Sequence, residues 1–318
     1  MSKFNVLIAP RKYVQGRDVI TKIGDFVAAI SQKPVVLWDD QVKEIVGDKV
    51  IAGFQQSGIE FIDVNFAGDS TKAEAARVAS IIKENNADAA IGIGGGKTLD
   101  TAKAAAHQSG VAMITVPTIA SNDSPTSSYT VWYDEEGNCL GFESWGRNPD
   151  LVLVDSQVIA NAPIRSFVAG MGDALATWVE AEACYKTRGG NLAGGQATVA
   201  ARTLARLGYD LLLDHGVGAC RAVEKNVVTP AVEKIIEANV LLSGLGFESG
   251  GVSTAHMIAN CLPSVPECHG MMHGEEVGFG VISQLCLDED FDPAEMLEIV
   301  DFEIAVGLPV TFRDLGLG

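Results

Sequence analysis

A run of glycines between an apolar segment and a helical pattern constrains this chain more than any other feature. Residues 88–103 read D-A-A-I-G-I-G-G-G-K-T-L-D-T-A-K. The apolar run ending at Ile91 predicts a strand, the three consecutive glycines predict a turn, and the residues from Lys97 onward predict a helix. Glycines let backbone N–H groups approach a ligand, and the positive end of a helix dipole favours an anion. The stretch therefore predicts a phosphate site with a lysine beside it.

Two familiar phosphate-binding motifs do not fit this stretch. The nucleoside-triphosphate loop requires a glycine where Ile91 stands. The dinucleotide fingerprint G-x-G-x-x-G, started at Gly92, has Lys97 in place of its last glycine. The remaining interpretation is a site for an anion the size of pyrophosphate, and three glycines in a row disfavour the alternative of a tight turn that binds nothing.

Composition limits the classes of partner. The chain has 318 residues, enough for two domains, and its hydrophobic fraction of 47% is typical of a globular protein. A net charge of -18 repels nucleic acid and anionic membranes. The six cysteines are scattered without C-x-x-C spacing, which argues against a zinc finger. With no long apolar run, the sequence predicts a cytoplasmic protein with neither nucleic acid nor membrane as partner.

The periodicity changes from mixed to helical near residue 160. Before it, the pattern predicts helices over 22–30 and 71–84, a β-hairpin insertion over 131–138, and strands over 6–9, 34–38, 59–65, 111–116 and 151–155. After Asn161 only helical patterns follow. We therefore expect an α/β domain over 1–160 and an all-helical domain over 161–318.

Polar residues follow two of the predicted strands. Asp39 ends the strand over 34–38, where an acid can accept both hydroxyls of an adenine ribose. A helix N-cap for Val42 onward is an equal alternative, because Asp39 precedes the glycine turn instead of following it. The hydroxyl-rich residues 118–129, with Asp123 among them, follow the strand over 111–116 and are either ligand-binding groups or turn formers.

Metal-ligand residue types cluster in the second half. Gly170 to Leu175 are predicted to open a helix with Asp173 in its first turn, and three of the five histidines fall between His256 and His273. One carboxylate and two imidazoles leave a coordination position open, as catalytic divalent metals require. The spacing alone is also compatible with two structural roles. Asp173 could be a carboxylate stabilised by the dipole of its helix, and His256 could be a hydrogen-bonded histidine of the core.

Several of these segments together resemble one enzyme family. They are G-G-G-K-T-L-D-T-A-K, V-P-T-I-A-S-N-D-S, G-M-G-D-A-L-A-T-W-V-E-A, G-F-E-S-G-G-V-S-T-A-H and H-G-M-M-H-G-E-E-V. From about residue 8 to Leu308, the sequence resembles the bacterial glycerol dehydrogenases of the iron-containing (type III) alcohol dehydrogenase superfamily. The resemblance implies the dehydroquinate synthase-like fold, an α/β dinucleotide-binding domain followed by an all-helical domain. It also implies NAD-dependent oxidation of glycerol and related vicinal diols to dihydroxyacetone, with a zinc-held alkoxide giving up hydride.

The resemblance assigns roles residue by residue. It implies that Asp173, His256 and His273 ligate zinc, and that Asp123 hydrogen-bonds the polyol. His269 would relay a proton or contact a metal ligand. Iron is less expected than zinc, since iron-using relatives carry a further histidine where Asn260 stands. The implied NAD-binding residues are Asp39, Gly94, Gly95, Gly96, Lys97, Asp100, Thr118, Ser121, Ser127, Tyr129 and Tyr133.

Three alternatives remain at this stage. A glycerol-1-phosphate dehydrogenase or a dehydroquinate synthase would need several Lys or Arg near the metal, and the segments around Asp123, Asp173, His256 and His273 contain almost none. A non-catalytic NAD-binding paralogue is the third. The chain ends at Gly318, short of the further C-terminal helices expected of the family. A positive mean hydropathy favours a homo-oligomer.

Overall fold

A computed structural model describes residues 4–289 and 291–317. The chain divides into two compact units. The α/β unit consists of Ala9–Ile119 and Ser124–Ile159, and the helical unit consists of the chain up to Ile8, the segment Ala120–Asp123, and the chain from Ala160 onward. The short segment Ala120–Asp123 thus belongs to the helical unit, although in the sequence it separates the two parts of the α/β unit.

The α/β unit is built on a six-stranded parallel sheet in the order β1-β8-β5-β4-β2-β3. Three strands of this sheet are buried along their whole length, because helices cover both faces of the sheet: Pro34–Trp38, Ala89–Gly94 and Leu151–Asp155. One apolar cluster containing Trp38 and Phe54 lies on one face, and a second containing Val78 and Met113 lies on the other. The strands are β1 (Tyr13–Gly16), β2 (Pro34–Trp38), β3 (Ile62–Asn65), β4 (Ala89–Gly94), β5 (Ala112–Pro117) and β8 (Leu151–Asp155).

Helices and one hairpin complete this unit. Thr71 caps the third helix by accepting a hydrogen bond from the Glu74 N–H at 3.0 Å. The hairpin consists of β6 (Tyr129–Tyr133) and β7 (Cys139–Ser144), paired antiparallel. The helices are α1 (Ile23–Val27), α2 (Asp40–Gln56), α3 (Lys72–Glu84) and α4 (Gly96–Ser109), and α5 (Ser156–Asn161) follows β8.

The helical unit holds the remaining helices. A single π-helical turn, Ala238–Leu242, joins the third and fourth of them. No helix among the described residues combines the length and apolarity that a membrane crossing needs. The helices are α6 (Ile164–Thr187), α7 (Val199–Val223), α8 (Pro230–Glu237), α9 (Ser243–Gly250), α10 (Thr254–Ala259), α11 (His273–Leu287) and α12 (Pro293–Val306).

The predicted fold class is confirmed, with differences at the N-terminus. The strand predicted over 6–9 is wrong: the chain there is irregular, and only Asn5 forms an isolated bridge, with Gln196. The true first strand, β1, is half-buried along its length, so its residues lack the apolar pattern of a central strand. The helix predicted over 22–30 is a 3-10 turn, Val19–Lys22, followed by the short α1.

Candidate active site

The glycine turn forms the strand-turn-helix predicted for it. A Cβ on Gly94 would stand 2.9 Å from the Thr98 hydroxyl oxygen, and one on Gly92 would stand 2.9 Å from the Ala102 methyl group. Only glycine therefore allows β4 to pass this close to α4. Gly95 caps α4 without a side chain, so no side-chain oxygen occupies the first-turn N–H groups. These donors, at the positive end of a 14-residue helix, suit a phosphate.

Strand order brings the predicted cofactor residues to one edge of the sheet. β2 pairs directly with β4, with Leu37 opposite Gly92, so Asp39 and the glycine turn leave neighbouring carboxyl ends. β5 pairs with β4 on its other side, and Thr118 donates its backbone N–H to the Gly94 carbonyl at 3.0 Å. Parallel α/β sheets bind ligands at this edge. The N-cap hypothesis for Asp39 is confirmed, since its Oδ1 accepts the Val42 N–H at 2.7 Å; its contact with a ribose stays a prediction.

Lys97 lies in the first turn of α4. Its ammonium pairs with Asp69 and stands 4.4 Å from the centre of the Tyr133 ring. Both Lys97 and Tyr133 are predicted cofactor residues, so the structure brings two of the predicted set into contact. Asp69, which was not predicted, holds the lysine in place through this ion pair.

Asp100, also predicted to bind the cofactor, is engaged inside the α/β unit. Its Oδ1 accepts the Ser124 hydroxyl at 2.6 Å, and its Oδ2 accepts the Val131 N–H at 2.8 Å. The ammonium of Lys103 lies 2.9 Å from the same carboxylate and donates to the carbonyls of Ser124 and Tyr129. Asp100 therefore holds the segment that carries Ser127 and Tyr129 through hydrogen bonds at both of its ends.

The predicted metal ligands come from three helices of the helical unit. Asp173 lies in the middle of α6, His256 in α10, and His273 at the first residue of α11. The prediction that Asp173 sits in the first turn of a helix is wrong, because α6 begins nine residues earlier, at Ile164. Gly170 and Gly172 resembled a helix start because glycine is unfavourable within a helix.

Those glycines serve close helix packing instead. A Cβ on Gly172 would stand 2.1 Å from the Gly274 carbonyl oxygen, and one on Gly274 would stand 1.7 Å from the Ala169 carbonyl oxygen. α6 and α11 therefore touch backbone to backbone at glycines adjacent in sequence to Asp173 and His273. Gly280 gives α11 the same close approach to the Ala255 carbonyl oxygen, next to His256. Because glycine has no side chain at these crossings, the helices lie close enough to bring the three ligands together.

The ligand atoms converge on one point. Nε2 of His256 and Nε2 of His273 each lie 3.6 Å from Oδ1 of Asp173, and the three ligand atoms lie within 4.8 Å of one another. Zinc bonds of about 2.0–2.1 Å in a tetrahedron separate ligand atoms by about 3.4 Å. Asp173 is 1% exposed, whereas the His273 side chain is 42% exposed, which leaves one side of the group open.

A fourth residue, Glu180, completes this group. Glu180 is fully buried, two helical turns beyond Asp173 on α6. Its Oε2 lies 2.5 Å from Nδ1 of His256, and its Oε1 accepts the backbone N–H groups of His256 and Ser253 at 2.9 and 2.8 Å. Glu180 was not predicted as a site residue, although the seven-residue spacing from Asp173 places both on one helix face.

The group lacks positive charge without a metal ion. Burial disfavours the charged form of Asp173, yet the nearby imidazoles of His256 and His273 hold its pKa below the usual value. Burial opposes a charge on His256 too, but the carboxylates of Glu180 and Asp173 raise its pKa well above the ordinary value. The two carboxylates of Asp173 and Glu180 thus favour a positive charge between them and the imidazoles.

A divalent metal fits these residues. Within the described ranges 4–289 and 291–317, the buried Oδ1 of Asp173 has no hydrogen-bond partner, although it faces two imidazole nitrogens. Such an unpaired buried oxygen is costly unless something binds it. One carboxylate and two imidazoles form the donor set of a catalytic zinc site with an open position. Ferrous iron is also bound by carboxylate and imidazole ligands.

Asp123 lies beside the metal group, within the helical unit. Its backbone N–H donates to Oδ2 of Asp173 at 3.3 Å, and its Oδ2 accepts the Ser243 hydroxyl at 2.9 Å. Asn239, in the π-helical turn, donates to the Ala120 carbonyl at 3.1 Å and so anchors the segment that carries Ser121 and Asp123. Ser121 is buried within this segment. Ser243 and Asn239 were not predicted, because their role depends on packing between distant parts of the chain.

His269 is not a member of the metal-capable group. It lies at the end of the 3-10 turn Pro266–Cys268, is exposed, and precedes the start of α11. It therefore does not share a helix face with His273. The metal-capable group found among the described residues consists of Asp173, His256 and His273. A proton-relay role for His269 remains a prediction.

An α/β unit with a glycine turn at a helix N-terminus and a helical unit with an Asp-His-His group that could hold a metal are the parts expected of a metal-dependent oxidoreductase that uses a dinucleotide. The family model "Iron-containing alcohol dehydrogenase" matches residues 10–156. The glycerol dehydrogenase of Citrobacter freundii is 44% identical, over 98% of this chain and 85% of that protein. A glycolaldehyde reductase of Halobacterium salinarum is 43% identical, over 98% and 86%.

A solved structure agrees with this assignment. The crystal structure of glycerol dehydrogenase from Schizosaccharomyces pombe superposes with a TM-score of 0.94 at 36% identity, covering 99% of this chain and 80% of that one. The chain belongs to the iron-containing alcohol dehydrogenase family and is an oxidoreductase.

Proposed function

We propose that this protein oxidises the secondary hydroxyl of glycerol to the ketone of dihydroxyacetone, with NAD as hydride acceptor and zinc as the metal. The observation that carries the proposal is the unpaired buried oxygen of Asp173 facing two imidazole nitrogens at 3.6 Å. The glycerol dehydrogenases among the relatives support glycerol as the substrate.

The residues divide the work between holding the metal and orienting the substrate. Asp173, His256 and His273 hold the ion, which when bound acts as a Lewis acid that lowers the pKa of an alcohol hydroxyl. Asp123 accepts a hydrogen bond from a second hydroxyl of the polyol while Ser243 fixes its carboxylate. Within the described residues, the three ligands form ion pairs with one another and with Glu180 and none with Lys or Arg, so the surroundings suit a neutral polyol better than a phosphate ester.

The α/β unit binds the dinucleotide. The uncapped N–H groups of α4 and the Lys97 ammonium bind the pyrophosphate, and Asp39 binds the adenosine ribose. Ser127, Tyr129 and Tyr133 line the remainder of the cofactor site. The bound dinucleotide would supply the hydride acceptor for C2 of glycerol, and with the hydroxyl proton released to solvent the products would be dihydroxyacetone, NADH and one proton.

A second candidate activity is reduction of glycolaldehyde. The halobacterial relative named for that activity is nearly as similar to this chain as the glycerol dehydrogenase of Citrobacter freundii. Both reactions use a small hydroxylated substrate and the same hydride chemistry. They differ in whether the reacting carbon is internal or terminal.

The test combines metal analysis with absorbance of NADH. Purified protein is expected to contain about one zinc per chain and to form NADH with glycerol, with dihydroxyacetone as the product detected by chromatography. His273→Ala is expected to lose metal-dependent turnover and to keep NAD binding. Activity that survives complete chelation of metal would overturn the proposal, and a faster reaction with glycolaldehyde than with glycerol would favour the second candidate.

A further inference from the structure

The buried carboxylate of Glu180 is not one of the three metal ligands, yet it makes three close polar contacts with Ser253 and His256, at the start of α10. Oε1 accepts the backbone N–H groups of Ser253 and His256 at 2.8 and 2.9 Å. Oε2 faces the imidazole Nδ1 at 2.5 Å. Both carboxylate oxygens are thus occupied by the turn that begins α10.

We infer that Glu180 fixes the tautomer of His256 and thereby selects the nitrogen that binds the metal. A carboxylate only accepts hydrogen bonds, so Nδ1 must carry its proton toward Oε2. In the neutral imidazole the lone pair is then on Nε2, the nitrogen that lies 3.6 Å from Asp173 Oδ1. The inference rests on the proposed metal site and adds a positioning residue outside the three ligands.

The hydrogen bonds that the Glu180 carboxylate accepts from backbone N–H groups fix its orientation toward the imidazole. Because one carboxylate oxygen already serves two N–H groups, the carboxylate cannot turn away from the imidazole without leaving those donors unpaired in a buried site. The side chain is fully buried, so water does not replace either bond. Glu180 therefore links the start of α10 to α6, which also carries Asp173.

Glutamine at this position supplies a nearly isosteric test. In Glu180→Gln the single carbonyl oxygen is required by the two backbone N–H groups, so the amide nitrogen takes the place of Oε2. An amide N–H facing Nδ1 needs a lone pair there, which moves the imidazole proton to Nε2 and blocks the metal-binding nitrogen. Removing a hydrogen-bond partner of this kind lowers metal affinity about 10–100-fold.

The experiment measures zinc and cobalt affinity by competition with a chromophoric chelator. Glu180→Gln is expected to bind each metal at least tenfold more weakly than the wild type, with NAD affinity unchanged. Glu182→Gln is the matched control, because Glu182 lies on the same helix but pairs with Arg202 and is expected to leave metal affinity unchanged. Equal affinity of Glu180→Gln and wild type would overturn the inference and leave the proposed function intact.

A second measurement reads the imidazole tautomer in the wild type itself. Nitrogen-15 NMR of histidine-labelled, zinc-bound wild type is expected to show a proton on Nδ1 of His256 and none on Nε2, the resonance being identified as the one missing from His256→Gln. A proton on Nε2 would overturn the inference by itself. A wild type that binds neither zinc nor cobalt would instead remove the proposed function, and the inference with it.

Discussion

The ammonium of Lys103 lies 2.9 Å from Oδ1 of Asp100 in the interior of the α/β unit, and the lysine side chain is completely buried. The ammonium also donates to the carbonyl oxygens of Ser124 and Tyr129. Residues 124–129 therefore fold around a buried cation on α4. The loop that carries the predicted cofactor residues Ser127 and Tyr129 takes its shape from this ion pair.

Lys103→Met is expected to destabilise the protein and weaken NAD binding. Removing one member of a buried ion pair leaves an unpaired charge, which costs about 3–5 kcal/mol. The free energy of unfolding from urea titration and the NAD dissociation constant measure the two effects. Zinc affinity should be unchanged, because the metal ligands belong to the other unit. Lys83→Met, at an exposed lysine of α3, is the control, and wild-type stability of Lys103→Met would contradict the prediction.

Gly274→Ala is expected to separate the metal ligands. The new Cβ would stand 1.7 Å from the Ala169 carbonyl oxygen, so α11 must move away from α6 and carry His273 away from Asp173. Overpacking of this kind costs about 1–3 kcal/mol of stability. Metal affinity should fall together with the unfolding free energy. Gly270→Ala is the control, since its Cβ would have no atom within 4 Å; equal metal affinity of the two variants would refute the role assigned to Gly274.

Asp123→Asn is expected to impair glycerol turnover with little change in metal or NAD affinity. A hydrogen bond to a charged group is worth about 1.5–3 kcal/mol, so kcat/KM for glycerol should fall about 10–100-fold. Asp301→Asn, at an exposed aspartate of α12, is the matched control. An unchanged kcat/KM in Asp123→Asn would remove Asp123 from the substrate site.

The sequence predicts those parts of the site whose geometry is local. The strand, glycine turn and helix at 88–103 could be predicted because consecutive residues make the turn. Asp39 joins them through strand order, which no local pattern reveals. Lys103 and Glu180 were missed for the same reason, since each acts through residues more than 20 positions away. Asp173 was predicted in a first turn because its neighbouring glycines are unfavourable inside a helix. In the structure these glycines permit close helix packing, a tertiary requirement that overrides helix propensity.

Glu303→Met is expected to stabilise the protein increasingly as pH rises. Within the described part of the chain, neither carboxylate oxygen of this fully buried residue has a hydrogen-bond partner, and burial raises its pKa well above the usual value. The folded state therefore binds more protons than the unfolded state from about pH 4.3 upward. Unfolding releases a proton in this window, so wild-type stability falls as pH rises toward the raised pKa.

The variant lacks both that pH-dependent loss and the unpaired polar group, whose burial costs about 1–3 kcal/mol even when neutral. Urea unfolding of Glu303→Met and wild type at pH 5, 7 and 8.5 is the measurement, and the difference between them should grow along this series. Burial also raises the pKa of Glu276, to about 8, but that contribution is common to both proteins and cancels in the difference. Glu298→Met, at an exposed glutamate of α12, should show no such trend. A difference for Glu303→Met that stays constant with pH would show that Glu303 keeps an ordinary pKa in the folded protein.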